Sequence, residues 1–176
     1  MNGGGGFDWV LYPGAPGHVT LDLNAGTASG EGTDTLSGIE GVVGSRFDDV
    51  FTGDDASNTF QAEDGNDAID GGAGVDFASF FRSPGSVTVD LAAGTATGEG
   101  TDTLTGIENV FGSGDFGDTL TGDAQDNMLV GSGGDDHVIG GDGNDELDGG
   151  DGTDALDGGI GTDTCANGET IVNCEA

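Results

Sequence analysis

Residues 140–165 read "GGDGNDELDGGDGTDALDGGIGTDTC", one nine-residue phrase written three times. Each copy runs glycine, glycine, spacer, glycine, spacer, aspartate, spacer, apolar residue, spacer. Asp145, Asp154 and Asp163 hold the sixth place, and Leu147, Leu156 and Cys165 the eighth. Going back by nines, Asp136, Asn127 and Asp118 continue the sixth place, with Val138, Leu129 and Leu120 two residues after each. An earlier block repeats the phase with Asp49, Asn58, Asp67 and Asp76, followed by Phe51, Phe60, Ile69 and Ala78. "GGGGFDWV", from Gly3, adds Asp8 and Val10. A fixed short period of this kind is the mark of a stacked repeat architecture.

A longer period of 68 lies above it. "VTLDLNAGTASGEGTDTLSGIE" at 19–40 matches "VTVDLAAGTATGEGTDTLTGIE" at 87–108 in 18 of 22 places. The organisation read from this is one continuous solenoid over 1–176, duplicated at 3–70 and 71–138. Extra nonapeptides follow at 139–166, then a cysteine-containing cap at 167–176. The linking segments 12–43 and 80–111 alternate like half-buried strands, as in Val87, Val89 and Leu91. They are expected to be wider coils continuing the stack, or else a looser excursion packed against its side.

Within a nonapeptide, glycines at the first, second and fourth places accept left-handed backbone angles, so the first six residues form a tight turn. The last three suit a short strand with its middle side chain inward. Two nonapeptides then make one coil of 18 residues with a strand on each side. Apolar side chains from the two sides meet in a thin core. The fold class expected is all-β, a right-handed parallel β-roll or β-helix.

The composition excludes much else. With 39 glycines, a net charge of −32 and 33% hydrophobic residues, the chain has the balance of a disordered segment unless something neutralises it. Arg46 and Arg82 are the only basic residues, so the surface repels nucleic acid and anionic lipid and attracts cations. The absence of lysine removes a Walker-type phosphate loop and Schiff-base chemistry. No apolar run approaches the length of a membrane span, and "MNGGGGFDWV" is no targeting leader.

Stacking at a separation of 18 sets Asp145 against Asp163 and Asp136 against Asp154. Carboxylates so close repel one another unless a cation lies between them. Calcium accepts six or more oxygens in a flexible shell, and glycine turns offer backbone carbonyls beside the carboxylates. At these residues the sequence resembles the repeats-in-toxin, or hemolysin-type, calcium-binding family. "GGDGNDELD", "GGDGTDALD", "GGIGTDTCA", "GSGGDDHVI", "GGAGVDFAS" and "GGGGFDWVL" carry the likeness.

The resemblance implies a parallel β-roll with several calcium ions, each held between a turn and the turn 18 residues later. The earlier turn gives its second and fourth carbonyls and its Asp, and the later turn its first and third carbonyls and its Asp. The best implied site joins Gly141, Gly143 and Asp145 to Gly158, Ile160 and Asp163. Its neighbour on the other edge joins Ser132, Gly134 and Asp136 to Gly149, Asp151 and Asp154. Weaker copies join Asp123, Gln125 and Asn127 to Gly140, Asp142 and Asp145, and Gly114, Phe116 and Asp118 to Gly131, Gly133 and Asp136. In the first block Asp54, Ala56 and Asn58 face Gly71, Ala73 and Asp76, while Ser45, Phe47 and Asp49 face Ala62, Asp64 and Asp67. Six best-supported sites result. Gln125, Phe116, Phe47 and Ala56 depart from glycine at the fourth place, and Asn58 and Asn127 offer neutral ligands.

No catalyst is expected. His18 and His137 are the only histidines, and neither "HExxH" nor "GxSxG" occurs. Trp9, Tyr12, Phe77, Phe80 and Phe81 fall at corresponding places in the two modules and are expected to fill or cap the core, with a sugar-binding platform as the alternative. The expected role is an extracellular or cell-surface structural, adhesive or spacer module; an accessory polysaccharide- or substrate-binding module of a secreted enzyme is the alternative. Partners beyond calcium are then surface glycans or another copy stacked end to end on a bare coil edge, without nucleic acid. Such a bare opening coil also looks like a piece cut from a longer chain.

Cys165 and Cys174 suit one bridge in an oxidising compartment, though two free thiols read the same way. Because Cys174 falls one nine-residue period after Cys165, a disulfide across the thin core is expected where the roll ends.

Overall fold

The computed structural model describes residues 1–30 and 32–175, and all regular structure among them is β-strand. In chain order the strands are β1 (Trp9–Leu11), β2 (Thr20–Asp22), β3 (Thr27–Ser29), β4 (Thr33–Thr35), β5 (Gly41–Val43), β6 (Val50–Thr52), β7 (Thr59–Gln61), β8 (Ala68–Asp70), β9 (Phe77–Ser79), β10 (Thr88–Asp90), β11 (Thr95–Thr97), β12 (Thr101–Thr105), β13 (Asn109–Phe111), β14 (Thr119–Thr121), β15 (Met128–Gly133), β16 (His137–Asp142), β17 (Glu146–Asp151), β18 (Ala155–Ile160), β19 (Thr164–Ala166) and β20 (Thr170–Val172). They form an eight-stranded sheet, β1-β5-β7-β9-β13-β15-β17-β19, and a twelve-stranded sheet, β20-β18-β16-β14-β10-β11-β12-β8-β6-β2-β3-β4.

Through the nonapeptide blocks the chain alternates between the sheets, and neighbours within a sheet run parallel in the register that the period dictates. Val42 lies beside Phe60, Phe51 beside Ile69, Leu129 beside Leu147, and Val138 beside Leu156. The eighth-place side chains therefore stack along two inner columns. Leu120, Leu129, Val138, Leu147 and Leu156 are almost wholly buried, and Phe51 stacks on Phe60 with ring centroids 6.1 Å apart. Each such leucine contributes roughly 1.5–3 kcal/mol by burial. The whole architecture is a parallel β-roll whose core is one side chain deep from each sheet.

The linking segments depart from a wide parallel coil. The segment after β9 forms an antiparallel meander, with β10 against β11 and β11 against β12. The meander enters the sheet beside β14 and leaves it beside β8, both in parallel contact. It thus stays in the stack but folds back on itself, and β2, β3 and β4 do the same in the first module. The cause is local. The Ala93 N–H donates to Asp90 Oδ1 at 2.8 Å and Gly94 takes φ +68°, closing a tight turn after β10 that reverses the chain. Ala25, Asp22 and Gly26 build the same turn after β2. Ala28 and Ala96, buried at the centre of the returning strands, leave room for the extra rungs.

The aromatic residues divide. Tyr12 and Phe80 are buried in the core, as expected, but Trp9 is 42% and Phe81 57% exposed. Phe77 stacks on Phe111 at 5.4 Å along the eight-stranded sheet. At the C-terminal end the disulfide Cys165–Cys174 is present. The nine-residue phase is not kept there, however: Ile171, rather than Cys174, stands beside Leu156. The turn between β19 and β20 is short because Asn167 adopts φ +53° before Gly168, so Cys174 lies beyond the last strand.

In calcium-containing buffer, Leu147→Ala is expected to lower unfolding free energy by about 2–5 kcal/mol, because the thin column has no second layer to fill the void. Leu11→Ala, at a position 56% exposed, is expected to change it by less than about 0.5 kcal/mol. Chemical denaturation curves for the two variants check this pair.

Candidate metal centre

Each nonapeptide turn carries its aspartate inward at the rim of the core. Asp67, Asp76, Asp136, Asp145, Asp154 and Asp163 are all buried. One oxygen of each has a defined task. The Asp145 N–H donates to Asp163 Oδ1 at 2.8 Å, Asp136 to Asp154 at 2.9 Å, Asn127 to Asp145 at 2.8 Å and Asp118 to Asp136 at 2.7 Å. Asn58 with Asp76 and Asp49 with Asp67 continue the ladder at 2.7 Å. The other oxygen, Oδ2, is buried without a partner in all six aspartates. A buried carboxylate oxygen with no donor is strongly unfavourable unless a cation or proton meets it.

The Asp145–Asp163 turns show what surrounds that oxygen. A β-carbon placed on Gly140 would fall against both Asp145 Oδ2 and the Gly158 carbonyl oxygen. One on Gly159 would fall on the Gly141 carbonyl, and one on Gly161 on the Gly143 carbonyl. Gly141 at φ +116° and Gly143 at φ +130° turn their carbonyls toward the next coil, angles that cost an L side chain dearly. The Ile160 carbonyl accepts the Gly143 N–H at 2.9 Å. The Gly141, Gly143 and Gly158 carbonyls and the Asp145 carboxylate thus lie so close to the glycines of the facing turn that no side chain fits between the turns. The opposite edge repeats this: β-carbons on Gly150 and Gly152 would fall on the carbonyls of Ser132 and Gly134, and Gly134 N–H reaches the Asp151 carbonyl at 2.9 Å. Among the described residues no three His, Cys, Asp or Glu side chains gather at one point. Such a centre rests on two carboxylates and backbone carbonyls, the oxygen-only set that suits calcium.

The other four expected pairs are brought together by the same ladder, but their first turns are already bonded. Asp118 accepts the Ser113 N–H, the Ser113 hydroxyl at 2.9 Å and the Val87 N–H at 2.8 Å; the Phe116 carbonyl, also 2.9 Å from that hydroxyl, is the alternative acceptor for its single proton. Asp49 is closed likewise by Ser45 and by Val19 N–H at 2.6 Å. Asn127 accepts from Asp123 N–H and donates to the Glu108 carbonyl; Asn58 accepts from Asp54 N–H. Serine thus supplies from within the chain a hydrogen-bond donor that the other turns lack, whereas asparagine removes the charge, and Asn58 Nδ2 is left buried without a partner.

Burial is the main cause of the carboxyl shifts. It pushes Asp67 up to about 8, and Asp76 and Asp136 up to about 6, with neighbouring carboxylates adding to the rise. Asp145, Asp118 and Asp102 are raised by burial too, and Glu99 to about 7.

Several carboxylates end the ladder at places outside the nine-residue period. Asp154 N–H donates to Glu169 Oε2 and Asp163 N–H to Glu175 Oε2, both at 2.6 Å. Glu40, Glu108 and Asp102 do the same for Asp8, Asp76 and Asp67. The duplicated "GIE" ending at Glu40 and Glu108 was the available signal for two of them.

Residues 43–78, 113–147 and 130–165 match the RTX calcium-binding nonapeptide repeat, a family described by four copies of the motif. No curated protein matches the chain. The matched segments span half of the sequence and coincide with the turns whose aspartates keep an unpartnered oxygen, so the chain belongs to the RTX calcium-binding nonapeptide repeat family.

Proposed function

We propose that this calcium-binding β-roll is an extracellular structural module whose folding is switched by calcium, serving as an adhesive, surface or spacer element. The observation that carries the reading is the row of buried aspartates whose Oδ2 atoms have no donor. Neighbouring rungs lie about 4.8 Å apart, so each ionised pair costs roughly 3 kcal/mol at an effective dielectric constant of about 20. A few such pairs equal the entire stability of an ordinary domain, about 5–15 kcal/mol. In this reading the chain stays open where calcium is scarce and closes into a roll where it is abundant. The disulfide and the near-absence of basic residues are compatible with an oxidising, cation-rich exterior. Among the described residues no helix is long and apolar enough to cross a membrane.

Within the proposal, ions occupy first the Asp145–Asp163 and Asp136–Asp154 turns. At Asn127–Asp145, Asp118–Asp136, Asn58–Asp76 and Asp49–Asp67 an ion has to displace bonds the first turn already makes, so these fill last. A second reading, carbohydrate contact, draws support from Trp9, Phe81 and Phe111, which line one groove with Gln61 and Arg82 on the eight-stranded sheet. Aromatic faces beside a guanidinium and an amide suit the apolar face and hydroxyls of a sugar ring.

Three outcomes are expected. Circular dichroism should show most β-structure lost in chelator and regained on adding calcium; equal β-content in both states would sink the switch. In chelator, the raised carboxyls bind protons more tightly in the roll than in the open chain. Their contribution is complete below the ordinary value of 3.8 and is lost as pH rises through about 6 for Asp76 and Asp136 and about 8 for Asp67. Acidifying the ion-free chain from about pH 8 to pH 4 should therefore raise its β-signal. For the second reading, saturable polysaccharide binding that is lost in Trp9→Ala or Phe81→Ala, with folding unchanged, would favour a glycan module over a spacer.

A further inference from the structure

Two nonapeptide turns, 62–67 and 71–76, have no nonapeptide turn eighteen residues beyond them, because the chain there enters the meander of β10, β11 and β12. What stacks on them instead is the segment 97–108. Over the turn ending at Asp67, its contacts repeat the Asp145–Asp163 arrangement bond for bond. Asp67 N–H donates to Asp102 Oδ1 at 3.0 Å, as Asp145 does to Asp163. Gly65 N–H donates to the Glu99 carbonyl at 3.1 Å, as Gly143 does to Ile160. Thr101 N–H reaches Asn66 Oδ1 at 3.1 Å, as Thr162 does Asn144, also at 3.1 Å. A β-carbon on Gly100 would fall on the Gly65 carbonyl, as one on Gly161 would on Gly143. The hairpin turn "TGEGTD", 97–102, is thus a disguised nonapeptide turn at a separation of 35. Asp67 and Asp102 are both buried, and Asp67 Oδ2 has no partner.

On the opposite edge, Asp76 is answered by Glu108. Asp76 N–H donates to Glu108 Oε2 at 2.9 Å across 32 residues. A β-carbon on Gly71 would fall against the Gly106 carbonyl oxygen and 2.8 Å from Asp76 Oδ2, as one on Gly140 does against Gly158 and Asp145. Gly72 and Gly74, at φ +92° and +126°, match Gly141 and Gly143. Asp76 is 1% exposed and its Oδ2 has no donor. Glu108 replaces an aspartate because the connection to it is a short bend rather than a full turn, and one further methylene makes up the reach.

We infer that residues 97–108 complete two calcium sites, one on each edge of the roll. The first joins the carbonyls of Glu63 and Gly65 and the Asp67 carboxylate to the Thr97 and Glu99 carbonyls and Asp102. The second joins the Gly72 and Gly74 carbonyls and Asp76 to the Gly106 carbonyl and Glu108. The inference rests on calcium binding by the nonapeptide turns and extends it to the linker, which makes the linker an ion-holding rung that couples the two repeat blocks.

Counting ions on the intact chain by native mass spectrometry in calcium tests this. D102N and E108Q keep an acceptor oxygen for the Asp67 and Asp76 N–H groups, so a purely structural role leaves the count unchanged. The expected result is one ion fewer in each variant and two fewer in the double variant, with none lost in E146Q, which alters an exposed strand residue. An unchanged count in D102N and E108Q, beside a wild type that binds calcium, overturns the inference and leaves the nonapeptide sites standing. A wild type with no bound ion defeats the calcium reading itself, and this inference with it. If either variant does not form the roll by circular dichroism, anomalous scattering from wild-type crystals grown in calcium decides. Peaks between Asp67 and Asp102 and between Asp76 and Glu108 support the two sites, and peaks confined to the nonapeptide pairs overturn them.

Discussion

The structure depends on a single bond used many times: the backbone N–H of one sixth-place residue donating to the carboxylate of the sixth-place residue one coil later. That bond fixes the height of each turn above the last and so fixes the register of both sheets. It also forces the carboxylate inward, where water cannot reach its second oxygen. Packing and charge are therefore not separable in this fold. The leucine column closes only if the turns stack, and the turns stack only if the inward charges are met.

The sequence meets those charges in three ways. Where the turn is glycine-rich and ends in aspartate, as at Asp145 and Asp163, an oxygen is left for a cation. Where the turn begins near a serine, as at Ser45 and Ser113, the backbone N–H and the hydroxyl of that serine both donate to the carboxylate. Where asparagine replaces aspartate, the charge is removed. The serine-closed turns lie where the meanders join the nonapeptide blocks: Val19 and Val87, just before β2 and β10, donate to Asp49 and Asp118. At those joints hydrogen bonds from within the chain meet part of the inward charge.

Much of this was legible in the sequence because one nine-residue period carries both chemistry and packing. The sixth-place aspartates and eighth-place apolar residues, from Asp118 and Leu120 to Asp163 and Cys165, predicted the parallel stacking, its register and the inward carboxylates. Legibility stopped where closure is spatial rather than periodic. Asp102 and Glu108 act at separations of 35 and 32, set by a meander whose reversal depends on Asp90 and Gly94, and no fixed phase points to them. Fourth-place substitutions such as Phe47 and Phe116 were visible, but the serine that satisfies each turn was not, because it stands at a different offset from its aspartate in the two cases. Cys174 misled for the same reason: counting by nines placed it in a strand slot that the short turn at Asn167 and Gly168 assigns to Ile171.

The two sheets have unequal numbers of strands, and the inequality follows from where the carboxylates are needed. Each meander adds two strands to one sheet only, yet both edges keep a carboxylate over every nonapeptide aspartate: Asp102 on one, Glu108 on the other. An insertion that merely lengthened the coil would leave Asp67 and Asp76 facing open chain. Entering the sheet beside β14 and returning to β8 instead brings the hairpin turn at Asp102 down onto the nonapeptide turn that ends at Asp67. Residue Glu108, four places after Leu104 of β12, then closes the opposite edge before the chain passes to β13. The reversed path of the meander is the arrangement that lets an irregular segment continue a regular ladder of charge.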